Sequence, residues 1–422
     1  MRNSMGWRFG GSAILLLLCA GGLPAQPAPG PELDAEAVNN SPLLFISPEA
    51  RNMGPPEWVK PGVRISFYTA SSNSPEGNYG LTEAADGEWE DPATGKRYRK
   101  EELSGSGGEG FAQLDVISVG DRAVAVAGNL YPIVKPGLPP TLSHLPMGGF
   151  IASAAGPADY WVHPGLLRAA SQFHTPQFFV LKGTYPLGGQ QVPSLCIVRR
   201  EADSYSSTAY DLRSGILISS TQTGRGKLAE VRLPGDDPQR GHKRITIVKF
   251  IGTRELKTPG VRGRNPQWVQ QLRAMHYAGQ TNFRNPHDPY GPQMNFPTRM
   301  VVEFGKRGVN FAAYRARIDQ NIGGMPQQAV VDGICGPGGG FWIDPEALSD
   351  LRTGMVLDED PVTHIRTGVG QVMPGQAVTI LVQGPGIYAE STYETVSGAL
   401  LGLTVQQPTS GMTTMLRLQA RQ

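Results

Sequence analysis

The segment Trp161-Val162-His163-Pro164 occurs a second time in this chain, 181 residues later, as Trp342-Ile343-Asp344-Pro345. A leucine follows six residues after each tryptophan. Proline is favoured as the first residue of a helix, and a polar residue just before it is favoured as the N-terminal cap. The repeated segment therefore predicts, in each half of the chain, a buried tryptophan and a short helix capped by His163 or Asp344.

A second pair of segments lies upstream of the first pair and keeps the same order. Pro56-Glu57-Trp58-Val59 returns as Pro266-Gln267-Trp268-Val269, and an aromatic residue stands nine positions after each tryptophan. The distance between the copies is far longer than the repeat of about 20–50 residues that builds solenoids. Together the two pairs indicate a duplicated domain.

The third pair is a hairpin motif. Ser207–Tyr210 leads to Ser214–Leu217, and Ser391–Tyr393 leads to Ser397–Leu400. In both, Ser-Gly supplies the turn, because glycine adopts backbone angles that other residues avoid. These Tyr-x-x-x-Ser-Gly-x-Leu hairpins, each followed by a further strand, resemble the repeated hairpins of the convex-sheet periplasmic lipoprotein carriers of the LolA/LolB type. The resemblance implies a curved sheet that holds an apolar ligand in its concavity, and it assigns no functional residue.

The fold class follows from composition and alternation. Charged residues are 18% of the chain, against a typical figure of about 25%, and 54 glycines and 36 prolines favour turns over long helices. Stretches such as Val63–Tyr68 and Phe111–Ile117 alternate as half-buried strands do. We predict a mainly β protein with two homologous domains, residues 56–257 and 264–422, each a strongly curved antiparallel sheet packed on one or two short helices. Residues 71–110 are predicted to be a long surface excursion of the first domain.

The beginning of the chain predicts export. Basic residues precede the apolar run Ala13–Ala20, and small residues follow it, which is typical of a secretory signal peptide over residues 1–25. The run is too short to span a bilayer. Leu18 precedes Cys19 where a lipoprotein signal requires small residues, so lipid anchoring is disfavoured. Residues 26–55 are predicted to be a Pro/Ala-rich lead-in, and the mature protein is expected to be periplasmic or secreted.

The charge balance excludes one class of partner. The 38 basic residues lose Arg2 and Arg8 with the signal peptide and then equal the 36 acidic residues. A formally neutral chain without a long Lys/Arg run has no basis for electrostatic attraction to nucleic acid or to anionic membranes. We therefore expect no nucleic-acid partner.

The usual signatures of catalysis are absent. Gly105–Gly110 matches the dinucleotide-binding fingerprint Gly-x-Gly-x-x-Gly, but a charged stretch precedes it and a strand follows it, so we interpret it as a flexible loop. The sequence has no Gly-Lys-Ser/Thr phosphate loop, no His-Glu-x-x-His, no Cys-x-x-Cys and no Gly-x-Ser-x-Gly. We predict no catalytic, cofactor or metal residues. The alternative is an extracytoplasmic hydrolase with a site built from distant loops, for which the candidates are His163, His287, Asp288 and His364.

Two further features have structural interpretations. The acidic run Asp358-Glu359-Asp360 lacks the glycine and the terminal glutamate of a calcium-binding loop, so we interpret it as a solvated turn. Cys196 and Cys335 are the cysteines left after signal cleavage, and the sequence leaves open whether they form an inter-domain disulfide.

The leading function is non-catalytic binding or scaffolding outside the cytoplasm. The ligand is expected to be apolar or lipid-like, held in a sheet concavity or between the domains, and another envelope protein is the alternative partner. Trp161, Trp342, Tyr210 and Tyr393 are the candidate ligand-binding residues, although large aromatics of this kind more often anchor a core. A purely structural cell-envelope protein is the third hypothesis.

Overall fold

The structure, a computed structural model, describes residues 52–75, 82–83, 89–90, 97–98, 108–135, 141–157, 159–200, 204–225, 242–285, 290–322, 325–407 and 411–422. The predicted signal peptide, most of the lead-in and Cys19 lie outside these residues, as do His287 and Asp288. None of the helices in the described ranges has the length and apolar character needed to cross a membrane.

The first half of the chain is built from strands with a short helix between the eighth and ninth. The strands are β1 (Val63–Pro75), β2 (Thr82–Glu83), β3 (Trp89–Glu90), β4 (Arg97–Tyr98), β5 (Gly108–Val119), β6 (Ala123–Lys135), β7 (Thr141–Leu142), β8 (Leu145–Ser153), β9 (Phe173–His174), β10 (Phe178–Leu187), β11 (Gln190–Arg200), β12 (Ser204–Asp211), β13 (Leu217–Arg225) and β14 (His242–Glu255). The helix is α1 (Pro164–Ala169). Within the predicted excursion 71–110, β2, β3 and β4 form a small sheet of their own.

The second half repeats this plan after a 3-10 helix at Gln267–Gln270. Its strands are β15 (Ala274–Phe283), β16 (Met294–Arg307), β17 (Ala312–Ile322), β18 (Met325–Cys335), β19 (Val356–Glu359), β20 (Arg366–Met373), β21 (Ala377–Gly384), β22 (Ile387–Glu394), β23 (Leu400–Gln407) and β24 (Met412–Arg421). The helix α2 (Pro345–Leu348) lies between β18 and β19.

The strand orders of the two large sheets confirm the duplication. The first sheet runs β7-β6-β5-β1-β14-β13-β12-β11-β10-β9, with β8 also paired to β6, and the second runs β18-β17-β16-β15-β24-β23-β22-β21-β20-β19. When β7 is set aside, every strand of one sheet has a counterpart at the same place in the other. All pairings are antiparallel, and in both sheets the first and last strands of the domain are neighbours in the middle.

The repeated tryptophans occupy equivalent positions. Trp58 Nε1 donates a hydrogen bond to the Ser214 carbonyl at 2.7 Å, and Trp268 Nε1 donates to the Ser397 carbonyl at 2.8 Å. The Trp58 ring meets Trp161 edge-on at 5.6 Å between centroids, and the rings of the second pair meet edge-on at 6.1 Å. The motif pairs recognised in the sequence are therefore the same packing unit built twice.

The Ser-Gly turns tie the hairpin to the tryptophan segment. Gly215 has φ +80° and Gly398 has φ +72°, backbone conformations that favour glycine. The Val162 amide donates to the Gly215 carbonyl at 2.9 Å, and an added Cβ on Gly215 would overlap the Val162 carbonyl oxygen. Gly398 stands in the same relation to Ile343. Glycine is required at both turns by its φ angle and by this close approach.

The first sheet is strongly curved around its core. Val126 on β6 and Leu195 on β11 belong to one buried cluster, although six inter-strand steps separate their strands. In a flat sheet these strands would lie about 29 Å apart. The sheet therefore curls around Trp161 and α1, and the second sheet curls in the same way around Trp342.

The two domains pack through an ionic cluster that corrects the interpretation of residues 358–360 as a solvated turn. Asp358 on β19 and Asp360 in the β19–β20 connection are buried. Arg254 on β14 donates to Asp358 at 2.7 and 2.8 Å and to Asp360 at 2.9 Å, and Arg64 on β1 donates to Asp360 at 3.1 Å. The sequence interpretation was wrong because the partners of these carboxylates lie in the other domain.

An apolar contact extends this interface. Tyr131 and Leu142 of the first domain form one buried cluster with Ile365 and Ile387 of the second. The Leu142 amide also donates to the Pro385 carbonyl at 2.8 Å, which joins β7 to the turn before β22. The outer face of the first sheet is thus covered in part by the second domain.

The two cysteines are free thiols. Cys196 lies on β11 in the first sheet, and Cys335 lies buried at the end of β18 in the second. Burial raises the pKa of the Cys335 thiol well above its usual range, so Cys335 is held in the thiol form.

Candidate functional site

The inner, concave face of the first sheet is defined by strand pairing. Leu195 on β11 and Tyr210 on β12 are directly opposite each other and buried. Because side chains alternate between the faces of a strand, the next inward pair is Ile197 and Thr208. On β10, Val180 pairs with Ile197 and shares its face, whereas Leu181 points to the outer face.

The deep end of this concavity is filled by aromatic side chains. Trp161 is 0% exposed and Trp342 is its counterpart in the second domain, also 0% exposed. Tyr210 and Tyr393 are buried as well, and burial raises the pKa of both hydroxyls, that of Tyr393 to about 12. Tyr393 Oη donates to the Gly340 carbonyl at 3.1 Å. The four aromatics predicted as ligand-binding candidates are therefore brought to the core, and the burial predicted for the two tryptophans is confirmed.

Beyond these aromatics the inner face is apolar and half-buried. Four aliphatic side chains from different strands pack against the edge of the core without being enclosed by it. The strand registers place them on the inner face; Leu130, for example, is directly opposite Ala112 of β5. We call this set the inner wall: Leu130 (β6), Val180 (β10), Ile197 (β11) and Val248 (β14).

Hydroxyl groups lie beside the inner wall. Thr208 is directly opposite both Ile197 and Ser220, and Thr69 is directly opposite Val248. Ser206 follows on the same face of β12. Beyond the aromatic side chains, the concave surface therefore carries aliphatic and hydroxyl-bearing side chains next to one another, a mixture that suits an amphipathic molecule.

The concave face of the second sheet is more closed. Thr281 Oγ1 is hydrogen bonded to Thr298 Oγ1 at 2.8 Å and to Thr414 Oγ1 at 3.0 Å, and Gln320 Nε2 donates to Thr281 at 3.0 Å. These polar groups satisfy one another. Ile387, on the same inner face, is covered by the first domain. The two copies therefore differ where a ligand would enter, and the first sheet is the better candidate.

The histidine candidates have other roles where the structure describes them. His163 Nδ1 accepts the Gly165 amide at 3.1 Å and caps α1, as Asp344 caps α2 by accepting the Glu346 amide, so the predicted caps are confirmed. Burial, followed by the charge of Arg168, lowers the pKa of His163 and keeps Nδ1 able to accept. His364 lies in the β19–β20 turn with φ +55°, and its amide donates to the Asp360 carbonyl.

The described histidines are not brought together. His163 belongs to the first domain and His364 to the second, and within the described ranges no hydrogen bond joins either ring to a carboxylate. Among the same residues, no group of three or more His, Cys, Asp or Glu side chains is placed to hold a metal ion.

Sequence reasoning did not single out the inner wall. A half-buried aliphatic residue looks the same in the sequence whether it borders a core or a ligand. The register of β10 against β11 and β12 is what places Val180 and Ile197 on the concave face. No alternation in exposure marks them, because Phe179 beside Val180 and both neighbours of Ile197 are half-buried too.

Comparison with known proteins returns no family. No protein-family model matches the chain, and no curated protein matches it. The geometry of the concave face is therefore the basis for a functional conclusion.

Proposed function

We propose that this chain is an exported, non-catalytic binding protein that holds an apolar or lipid-like ligand against the inner wall of its first sheet. The observation that carries the proposal is the partial exposure of Leu130, Val180, Ile197 and Val248 on a concave surface. Burial of apolar area is worth about 25 cal/mol per Å², so a ligand that completes the burial of these side chains is stabilised there.

The hydroxyl groups beside the inner wall indicate an amphipathic ligand. Thr69, Ser206 and Thr208 are half-buried there. A ligand whose apolar part lies on the inner wall and toward Trp161 has these hydroxyl groups alongside as polar partners. The hairpin resemblance to lipoprotein carriers supports the same function, and the predicted signal peptide supports a location outside the cytoplasm.

A fluorescence titration tests the proposal. We expect the chain lacking residues 1–25 to bind N-phenyl-1-naphthylamine with a blue-shifted increase in emission. Val180→Glu places a charge on the inner wall and should weaken binding at least about tenfold, since an unpaired carboxylate is costly to bury. Leu181→Glu is the matched control, because Leu181 is the next residue on β10 and points outward. It should bind the probe as the parent chain does.

A second variant separates loss of binding from loss of folding. Thr208→Trp fills the space above Ile197 without adding charge and should block the probe while the melting temperature stays close to that of the parent. Equal binding by the parent, Val180→Glu and Thr208→Trp would overturn the proposal.

Native mass spectra of the purified chain discriminate between the remaining hypotheses. A co-purified amphipathic molecule supports the binding function. Absence of both a bound molecule and probe binding would favour a structural envelope protein. An esterase or peptidase activity that disappears in His163→Ala and His364→Ala would favour the hydrolase.

A further inference from the structure

Large apolar side chains are exposed at the free edge of the first sheet. Phe173 on the two-residue edge strand β9 is 53% exposed, Phe178 on β10 is 37% exposed and Leu181 is 45% exposed. The rings of Phe173 and Phe178 lie 6.1 Å apart between centroids. A cluster of exposed large apolar side chains on a soluble protein marks an interaction surface.

Positive charge is concentrated at the same edge. Between Asp159 and Glu201 the sequence has no Asp or Glu, and it has four exposed basic residues, Arg168, Lys182, Arg199 and Arg200. Lys182 Nζ donates to the Arg168 carbonyl at 2.7 Å, and the Arg200 guanidinium lies 4.9 Å from the centroid of the Phe179 ring. Within the described part of the chain, no salt bridge neutralises Arg168, Lys182 or Arg200.

This local charge revises what the overall composition indicates. The mature chain is formally neutral, and we expected no basis for attraction to anionic surfaces. Acidic and basic residues are instead segregated along the sequence, and the fold brings cations to both faces of this edge. Lys182 shares the inner face with Phe173 and Phe178, and Arg200 shares the outer face with Leu181. We call this set the basic aromatic edge: Phe173, Phe178, Leu181, Arg168, Lys182 and Arg200.

The second copy shows that the equivalent edge carries the opposite charge. Its edge strand β19 and the turn that follows carry Asp358 and Asp360, and these carboxylates accept hydrogen bonds from arginines of the first domain. The basic aromatic edge has no such partner within the described residues, and its charge suits an anionic surface.

We propose that the basic aromatic edge docks on the surface of a membrane that contains anionic phospholipid. The phenyl rings lie at the level of the headgroups, where aromatic side chains are favoured, and the cations lie near the phosphates. Each Lys or Arg near an anionic surface strengthens binding by a similar increment, and three of them together by about a hundredfold. The inference does not depend on the ligand of the inner wall.

Vesicle co-sedimentation tests the docking surface. The chain lacking residues 1–25 is mixed with vesicles of phosphatidylcholine alone or with added phosphatidylglycerol. We expect binding about a hundredfold tighter to the anionic vesicles, weakening as salt is added. No binding to the phosphatidylglycerol vesicles, or equal binding to both compositions, would overturn the proposal.

Charge variants locate the surface. The triple variant R168Q/K182Q/R200Q should lose the preference for anionic vesicles. R299Q/R366Q/R417Q removes the same number of exposed positive charges from the second domain and should keep it. Equal losses in both triple variants would show that net charge, and not this edge, attracts the vesicles.

Aromatic variants test the apolar part. F173S/F178S should weaken binding at least about tenfold, whereas M355S/V356S, which removes exposed apolar side chains near the edge of the second copy, should not. Thr208→Trp, which lies on β12 away from Phe173 and Phe178, should keep vesicle binding while it loses the naphthylamine probe, so failure of one proposal is distinguishable from failure of the other. Circular dichroism melts show whether each variant is folded.

Discussion

At the residue scale, the two copies differ in the hydrogen bonding of one buried indole N–H. Trp342 Nε1 donates to Asn265 Oδ1 at 2.9 Å, whereas Trp161 Nε1 is buried and has no hydrogen-bond partner among the described residues. Asn265 stands three residues before Trp268, and the residue three before Trp58 is Pro55. The first copy therefore lacks the acceptor that the second copy has.

Both tryptophans should be structural. Trp161→Ala and Trp342→Ala should each lower the free energy of unfolding by about 3–5 kcal/mol, because each leaves a cavity in a closed core. Urea melts followed by circular dichroism measure this loss. Full stability in both variants, together with loss of a bound ligand, would instead assign the tryptophans to a binding pocket.

Adding a hydrogen-bond acceptor for Trp161 Nε1 should stabilise the first domain. In the second domain, Asn265 Nδ2 donates to the carbonyls of Gly308 and Phe311, and the turn that presents them has a counterpart at Gly120 and Ala123. Pro55→Asn should therefore raise the free energy of unfolding by about 1 kcal/mol, because an unsatisfied buried N–H costs about 1–3 kcal/mol and loss of the proline costs less.

Two controls accompany this variant. Pro55→Ala removes the ring without adding an acceptor and should show no gain. Asn265→Ala should lower stability, because it leaves Trp342 Nε1 without a partner. A gain in Pro55→Ala as large as that in Pro55→Asn would mean that the indole is not the reason.

At the element scale, His144 lies between β7 and β8 and packs against β6. Its ring stacks on Tyr131 at 5.2 Å, and its Nε2 is hydrogen bonded to Asn129 Oδ1 at 2.9 Å. Burial, and then the charge of Arg64, lower the pKa of His144 to about 4. The neutral ring is thus the form that the folded protein prefers.

The sign of the pH effect follows from this shift. The folded pKa is below the ordinary value of about 6.5, so the stabilisation is complete above pH 6.5 and is lost as the pH falls toward 4. Between pH 7 and pH 5 the parent chain should lose about 1–2 kcal/mol more than His144→Gln does in urea unfolding. Parallel pH profiles for the two proteins would contradict this assignment.

The elements that the sequence predicted well are those with a clean alternation. The alternation of residues 378–383 and 387–393 predicts two strands, and these are β21 and β22 to within one residue at each end. Glycine and polar residues interrupt the apolar pattern of β15 and β18, so the sequence does not predict these strands. Residues 299–304 and 309–317 predict the β16–β17 hairpin, but β17 begins at Ala312 and not at Val309, which is 66% exposed in the turn.

Long-range partners limited what the sequence could predict of the candidate site. Gln113 and Asp115 are buried on the outer face of β5, where alternation alone would place them in solvent. They are buried because Arg64 and the second domain cover that face. The same limit applies to the inner wall, whose members come from four strands distant in the sequence.

At the scale of the whole molecule, one carboxylate joins the domains. Asp360 Oδ2 accepts hydrogen bonds from Arg64, Arg254 and Gln113, and Oδ1 accepts the amides of Val362 and Thr363. Burial alone would raise the pKa of Asp360, but the Thr363 amide and the two guanidinium groups outweigh it and hold the pKa below its usual range. The carboxylate is therefore charged at neutral pH.

Removing this charge should separate the domains in unfolding experiments. Asp360→Asn keeps an acceptor for the turn but removes the negative charge that faces Arg64 and Arg254. It should lower the free energy of unfolding by about 3–5 kcal/mol. Calorimetry should then resolve two transitions where the parent chain shows one. Glu359→Gln, at the exposed neighbouring position, is the control and should melt as the parent does. A single unshifted transition in Asp360→Asn would show that the apolar contacts suffice.

The pairing of β1 with β14, and of β15 with β24, ties folding to the order in which the chain is made. A ribosome delivers the amino end first, so β1 is present long before the strand that closes the middle of its sheet. Closure between such distant segments is slow. Until then one edge of β1 presents unpaired backbone groups, which are a template for aggregation. The duplication repeats this exposure in the second domain, because the partner of β15 is β24, the last strand of that domain.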